Sequence, residues 1–267
     1  MSHALGVLAA ATFEKPTTKD FVFGCWGSSI KIGGVSFCMN FIFFMLLLSF
    51  GAFIVLFFLA FRKPKVVPGK LQLLMEMGLE FVRDEIVVQM IGPAGLPFFG
   101  LIATFFFFIF FSNILEVVPG VNFSLSSRIA FPLVMAIVSW VTYNTVGIRK
   151  HGLGHYLKMV LFPPGAPALL YVILTPIEFI STILIRPITL SVRLFANLLA
   201  GHFLLAVFFL GTVFFIQDGV KTIALVAVSF PLSVLLVGFE IFVSALQAFI
   251  FSMLSASYIA GAMASEH

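Results

Sequence analysis

The chain has 267 residues, of which 61% are hydrophobic and 10% charged, against roughly 25% charged in an ordinary soluble domain. Phenylalanine alone accounts for 36 positions, with runs such as Phe105-Phe106-Phe107-Phe108 that have no tolerable place on a water-facing surface. A soluble protein is thereby excluded, and the net charge of +4, carried mostly in short loops, points to membrane topology and not to nucleic acid.

Residues 1–34 read as an N-terminal tail. They lack the basic start of a signal peptide, and residues 12–20 are mostly polar, so insertion is expected through the chain's own first span. Cys25 and Cys38 give neither a disulfide framework nor a metal-ligand spacing, and no cofactor or metal is expected. The first apolar run, 35–61, is long enough to cross a ~30 Å core with some tilt. It stops at Arg62-Lys63-Pro64-Lys65, a loop signal.

Residues 69–92 differ in kind. Leu71, Leu74, Met75, Gly78, Val82 and Ile86 recur at spacings of three and four, with Gln72, Glu76, Glu80 and Arg83 on the opposite face. This pattern predicts an amphipathic helix lying on the membrane surface. Spans are expected at 97–118 and 129–148, joined by a short loop of little charge. A basic loop follows, with Arg149, Lys150, His151, His155 and Lys158, and then a break at Pro163-Pro164-Gly165.

Two apolar stretches remain, 168–216 and 222–264, with Gln217-Asp218-Gly219 as the turn between them. Each could be a pair of spans or one very tilted helix. No polar turn cluster divides either, so two long, strongly tilted helices are expected, with kinks allowed near Pro187 and Pro231. The expected fold is therefore an all-α integral membrane protein of five membrane-crossing helices plus one surface helix, forming a single membrane domain. One side of this topology holds Arg62, Lys63, Lys65, Lys70, Arg83, Arg149, Lys150 and Lys158. The other holds Lys15, Lys19, Lys31, Arg128 and Lys221. That bias places the N-terminus outside and the C-terminus inside. No internal repeat is visible, which weighs against an inverted-repeat transporter.

Ionisable groups at lipid depth are candidate functional residues, because a charge at the bilayer centre costs at least ~2.5–3.5 kcal/mol. Four stand out: Glu178, Arg186, Arg193 and Glu240. Glu178, Thr182, Arg186, Thr189, Arg193 and Asn197 follow helical steps of three and four and predict one polar stripe. Glu240, Ser244, Gln247 and Tyr258 align similarly in the last helix. Two facing stripes could enclose a hydrated path, or could only hydrogen-bond the helices together. His202 lies about 180° round the helix from Arg193 and should meet a different neighbour. A lone buried histidine is commonly structural, although its side-chain chemistry suits proton relay.

At this point the sequence resembles a known family. The segment Leu190-Ser191-Val192-Arg193-Leu194-Phe195-Ala196-Asn197-Leu198-Leu199-Ala200-Gly201-His202 is similar to the arginine-helix motif of subunit a of rotary F-type ATP synthases. So are Thr175-Pro176-Ile177-Glu178 with Arg186-Pro187-Ile188-Thr189, and Ala245-Leu246-Gln247-Ala248-Phe249-Ile250-Phe251 followed by Tyr258. Asn113-Ile114-Leu115-Glu116-Val117-Val118-Pro119 resembles the end of an earlier span, and Val67-Pro68-Gly69-Lys70-Leu71-Gln72 resembles actinobacterial members.

The resemblance implies a stationary proton-channel subunit. Arg193 would be the essential arginine facing the rotor, with Asn197 and Gln247 as polar neighbours. His202 and Glu240 would line the outer half-channel, with Asn113 and Glu116 at its mouth. Relative to many bacterial members the carboxylate and histidine positions are exchanged, an arrangement also found in mitochondrial members and some bacterial ones. The implied partners are the rotor ring of subunit c, the peripheral-stalk subunit b, the remaining ATP synthase subunits and the lipid bilayer. The implied location is the bacterial cytoplasmic membrane, with the mitochondrial inner membrane as the alternative. No G-x-x-x-x-G-K-[ST] loop is present, so the chain is not expected to bind nucleotide or act as an enzyme on its own. A rival reading is an anion transporter with Arg186 and Arg193 as its substrate clamp.

Overall fold

A computed structural model of the chain describes residues 30–32, 35–37, 40–118, 121, 124–162, 171–217 and 223–264. The rest of the N-terminal tail, the break at Pro163-Pro164-Gly165 and Asp218-Gly219 of the expected turn lie outside the described residues.

Two three-residue strands, β1 (Ile30–Ile32) and β2 (Val35–Phe37), pair antiparallel with Ile32 opposite Val35. The first helix, α1 (Phe41–Phe61), therefore starts six residues later than the apolar run does. The start is set by Asn40, an extended residue whose side chain accepts a hydrogen bond from the Phe43 N–H at 3.0 Å. That bond satisfies one of the donors a helix N-terminus leaves open.

The expected amphipathic segment is helical from Lys70 to Ile91: α2 (Lys70–Phe81), a π-helical stretch Val82–Val88, and α3 (Gln89–Ile91). It ends at Gly92, whose φ of 85° suits glycine. Its buried face differs from the expected one. Met75, Val82 and Ile86 are buried, but Leu71 and Leu74 are exposed, and Gln72, assigned to the polar face, is buried. Gln72 is satisfied there by the Lys65 backbone and by Glu76. Gly78 abuts the Phe107 ring, which a Cβ would approach to 2.9 Å. The segment packs across the aromatic second span and the last helix.

A 3-10 stretch Pro93–Phe98 leads into α4 (Phe99–Ile114), which stops four residues short of the expected span end, so Glu116 sits in a turn and not in a helix. The third span, α5 (Ala130–His151), extends three residues beyond its expected end. Most of the expected basic loop is helical as α6 (Leu153–Leu161). Gly152, at φ 79°, makes the corner between them.

The long stretches are both unbroken helix within the described residues. The first consists of α7 (Tyr171–Ile180), a π-helical stretch Ser181–Ile185 and α8 (Arg186–Gln217); the second is α9 (Ile223–Met263). At 1.5 Å per residue the 41-residue α9 rises about 62 Å, twice the ~30 Å hydrocarbon thickness, so an upright pose would carry much of it out of lipid.

Apart from the short β1–β2 pair, the result is an all-α membrane protein, with five helices among the described residues long and apolar enough to cross a membrane. α9 forms its spine, packed between α4, α5 and α8. The core runs from Ile86 and Val87 through Ile102, Phe105 and Ile109 to Leu194, Leu198, Phe251 and Ile259. Outward-facing leucine, valine and phenylalanine cover α1, as lipid contact requires.

The basic loops set a testable orientation. With Cys25 and Cys38 replaced by serine, single cysteines at Lys63 and Lys150 are expected to react with a membrane-impermeant thiol reagent from the same inner side. Labelling of the two from opposite sides would overturn the orientation.

Candidate functional site

The site begins with a proline. Pro187 has no N–H, and its ring disfavours ordinary α geometry in the preceding turn. The chain answers with the π-helical turn Ser181–Ile185, in which the Arg186 N–H reaches Ser181 O, five residues back. The carbonyl of Thr182, which an α-helix would have paired with Arg186, is taken instead by the Tyr143 hydroxyl at 3.1 Å. π-turns widen and rotate a helix and recur at functional sites.

The expected single stripe meets two different surroundings. Thr182 is buried, with Glu178 and Arg186 half-buried beside it. Thr189, Arg193 and Asn197 are exposed on the outer surface of the helix. Leu190, Leu194 and Leu198, one position further along, are buried against the core and hold α8 in this rotation. Arg193 thus stands on an open face of a helix long and apolar enough to cross a membrane. Gln247 of α9 is buried behind it, its side-chain amide 3.5 Å from the Arg193 carbonyl.

Toward the C-terminal half of α8 lies an acidic cluster. Glu240 and Glu116 are each 3% exposed. His202 Nδ1 lies 3.3 Å from Glu116 Oε1. Glu240 lies against Gly201, where any Cβ would overlap its carboxylate, and is within electrostatic range of both Glu116 and His202. A side chain at position 201 would have to displace the Glu240 carboxylate from this place. The two carboxylates come from different elements, the turn after α4 and the middle of α9, and meet at α8. Next to them Asn113, fully buried, accepts hydrogen bonds from Ser126 at 2.6 Å and Ser124 at 3.4 Å. Its amide nitrogen, Glu240 Oε1 and the buried Ser244 hydroxyl have no hydrogen-bond partner among the described residues.

Toward the N-terminal half, a cavity of about 350 Å³ is lined by Glu178, Thr182, Arg186, Tyr143, Tyr156 and Tyr258, among others. The Arg186 guanidinium sits 5.3 Å from the centre of the Tyr258 ring, a cation–π arrangement. Tyr258 therefore belongs to this cavity and not to a continuous stripe with Glu240, Ser244 and Gln247. Eighteen residues separate Glu240 from Tyr258, about 27 Å of helix, so a shared angle did not mean a shared site.

Sequence reasoning did not select Gly201, Tyr143 or Tyr156. The polar run Tyr143-Asn144-Thr145 inside an otherwise apolar span was the available signal for the tyrosines. The two arginines of the rival clamp do not share one cavity: Arg186 lines it, and Arg193 is exposed on the outer surface of the helix.

These features define a multi-pass membrane protein whose two long helices present ionisable groups on both sides of an outward-facing arginine. The family model described as ATP synthase A chain matches residues 41–260. Similar proteins include the ATP synthase subunit a of Frankia alni, 38% identical over 263 residues, covering 98% of this chain and 90% of that protein. That of Rhodococcus erythropolis is 39% identical over 264 residues, covering 97% and 94%. That of Streptomyces lividans is 40% identical over 226 residues, covering 84% and 80%. The chain belongs to the ATP synthase A chain family.

Proposed function

We propose that this chain is the stationary proton-translocating subunit of a rotary F-type ATP synthase in a bacterial cytoplasmic membrane. It works against a ring of rotor subunits and is held by a peripheral stalk. The observation that carries the reading is Arg193: a guanidinium on an exposed helix face at lipid depth, where lipid is an unfavourable neighbour and a carboxylate on a partner is a favourable one. Membership of the ATP synthase A chain family supports it.

In this reading protons enter from outside at Asn113, Glu116 and His202 and pass by way of Glu240, Ser244 and Gln247 to a rotor carboxylate. Buried polar atoms without protein partners, as at Asn113, Glu240 and Ser244, are the kind that bound water satisfies, and water supplies the relay. The neutralised carboxyl travels through lipid with the ring and releases its proton to the inner cavity at Glu178, Arg186 and Tyr258. Arg193 and Asn197 lie between the two polar regions. Along the helix Arg193 is about 10 Å from Arg186 and about 14 Å from His202. Its fixed positive charge favours the deprotonated rotor carboxylate as it passes and opposes direct proton flow from one region to the other. A strongly tilted pair, α8 and α9, follows the ring's curved side and brings both regions to it.

The test is isolation of the intact complex through a tag on this chain. A small, carboxylate-bearing helical hairpin subunit and a stalk subunit are expected to co-purify, and vesicles containing the complex are expected to acidify on ATP addition. Recovery of the chain in an ATP-independent anion transporter lacking such a hairpin would overturn the proposal.

A further inference from the structure

The basic corner between α5 and α6 is not used by the proton path. No acidic residue occurs from position 117 to 177, yet Arg149, Lys150, His151, His155 and Lys158 fall within ten residues of each other there. Arg149, Lys150, His155 and Lys158 are exposed, and the rings of His151 and His155 lie 5.9 Å apart across the Gly152 corner. The corner is rigidly built. Tyr156 is buried against Gly147, where a Cβ would overlap its ring, and its hydroxyl donates to Asn144 at 3.1 Å. Thr175 of α7 donates to the Leu161 carbonyl at 3.2 Å. The Lys150 ammonium donates to the Met263 carbonyl at the end of α9. Beside the cations α6 exposes Leu153 (58%) and Leu157 (42%). A helix leaving a membrane span with a cationic edge and an adjacent open leucine edge matches the two halves of a phospholipid, headgroup and acyl chain.

We propose that the α5–α6 corner is a binding site for an anionic phospholipid of the inner leaflet. Arg149, His155 and Lys158 receive its phosphate, and Leu153 and Leu157 pack on its chains. The site stands independently of the proton path, since it rests on the corner's charge and on the chain's membrane nature.

The test uses the intact, detergent-purified complex, stripped of lipid and then incubated with equal amounts of phosphatidylglycerol and phosphatidylcholine. Retained lipid is measured by mass spectrometry. Wild type is expected to retain phosphatidylglycerol preferentially. The double variant Arg149→Gln/Lys158→Gln is expected to bind it about thirtyfold more weakly, from the contribution each basic residue makes near anionic lipid. Lys150 is left in place because it anchors α9. Lys63→Gln/Lys65→Gln removes the same charge from the first basic loop and is expected to retain lipid as wild type does. Equal retention of the two lipids by wild type overturns the proposal whether or not the variants assemble. Displacement of phosphatidylglycerol by millimolar inorganic phosphate would mean a free-phosphate site. Equal loss in the two double variants would mean diffuse attraction only. Either result overturns the proposal.

Discussion

Arg193→Ala is expected to abolish proton-driven ATP synthesis, a loss of about two orders of magnitude or more, and to turn the assembled membrane sector into a passive proton leak. The loss follows from position: Arg193 is the outward-facing cation of α8 between the acidic cluster at Gly201 and the cavity at Arg186. In the proposed mechanism the leak follows because the fixed positive charge between the two polar regions is what keeps protons from passing directly. Arg193→Lys should also abolish synthesis. It keeps the charge, but lysine lacks the planar fork and loses its proton more readily away from water. Arg186 is the control. It sits two turns away, over the Tyr258 ring inside the cavity, and its substitution should impair function less. The readout is proton flux into potassium-loaded vesicles with valinomycin, alongside ATP synthesis, with assembly checked by subunit content. A tight, assembled Arg193→Ala complex that synthesises ATP normally would defeat this account of the residue.

Glu240→Gln should slow proton flow in both directions while leaving the complex assembled. Glutamine keeps the size and hydrogen-bonding atoms that fit against Gly201, so packing is retained and proton exchange is lost. The expected loss is about 100-fold, the lower end of what a positioned proton-transfer group supplies, because Glu116 and His202 remain beside it. Substitution of His202 alone should cost less, since water can bridge where an imidazole stood. ATP-driven pumping by Glu240→Gln at the wild-type rate would make Glu240 a packing group only.

The helices were legible in the sequence wherever hydrophobicity alone sets them. The five long apolar stretches appear as helices long enough to cross a membrane, and the two longest are undivided because no turn chemistry interrupts them. Their boundaries were less legible. Val35–Phe37 is apolar enough for lipid but pairs with Ile30–Ile32, and only the Asn40 cap shows where helix begins. The polar stripes were legible as residues but not as surfaces. Helical spacing assumes 3.6 residues per turn throughout, and the π-turn before Pro187 breaks that assumption. It changes how Glu178 and Thr182 sit relative to α8, but Arg186 and Arg193 share one regular helix at nearly the same angle. What differs there is the surroundings, a cavity at Arg186 and an open surface at Arg193. In the amphipathic segment the misread residues Leu71, Gln72 and Leu74 lie in regular α2, where Gln72 turns inward to bond the Lys65 backbone, a contact that spacing alone does not encode. The acidic cluster was named residue by residue, but the meeting of Glu240 with Gly201 depends on how α8 and α9 cross, which no single segment encodes.

The central claim, that the open face of α8 carrying Arg193 runs against a carboxylate-bearing rotor, is tested most directly by disulfide cross-linking in native membranes. Single cysteines at Thr189 and Asn197, the exposed neighbours one turn to either side of Arg193, are paired with cysteines placed through the rotor hairpin. A cysteine at Val55, exposed on α1, serves as the lipid-facing reference. The account predicts oxidant-dependent adducts between this chain and the rotor subunit from positions 189 and 197, near the level of the rotor carboxylate, and none from position 55. Absence of rotor adducts from both α8 positions, with adducts forming from position 55, would contradict it.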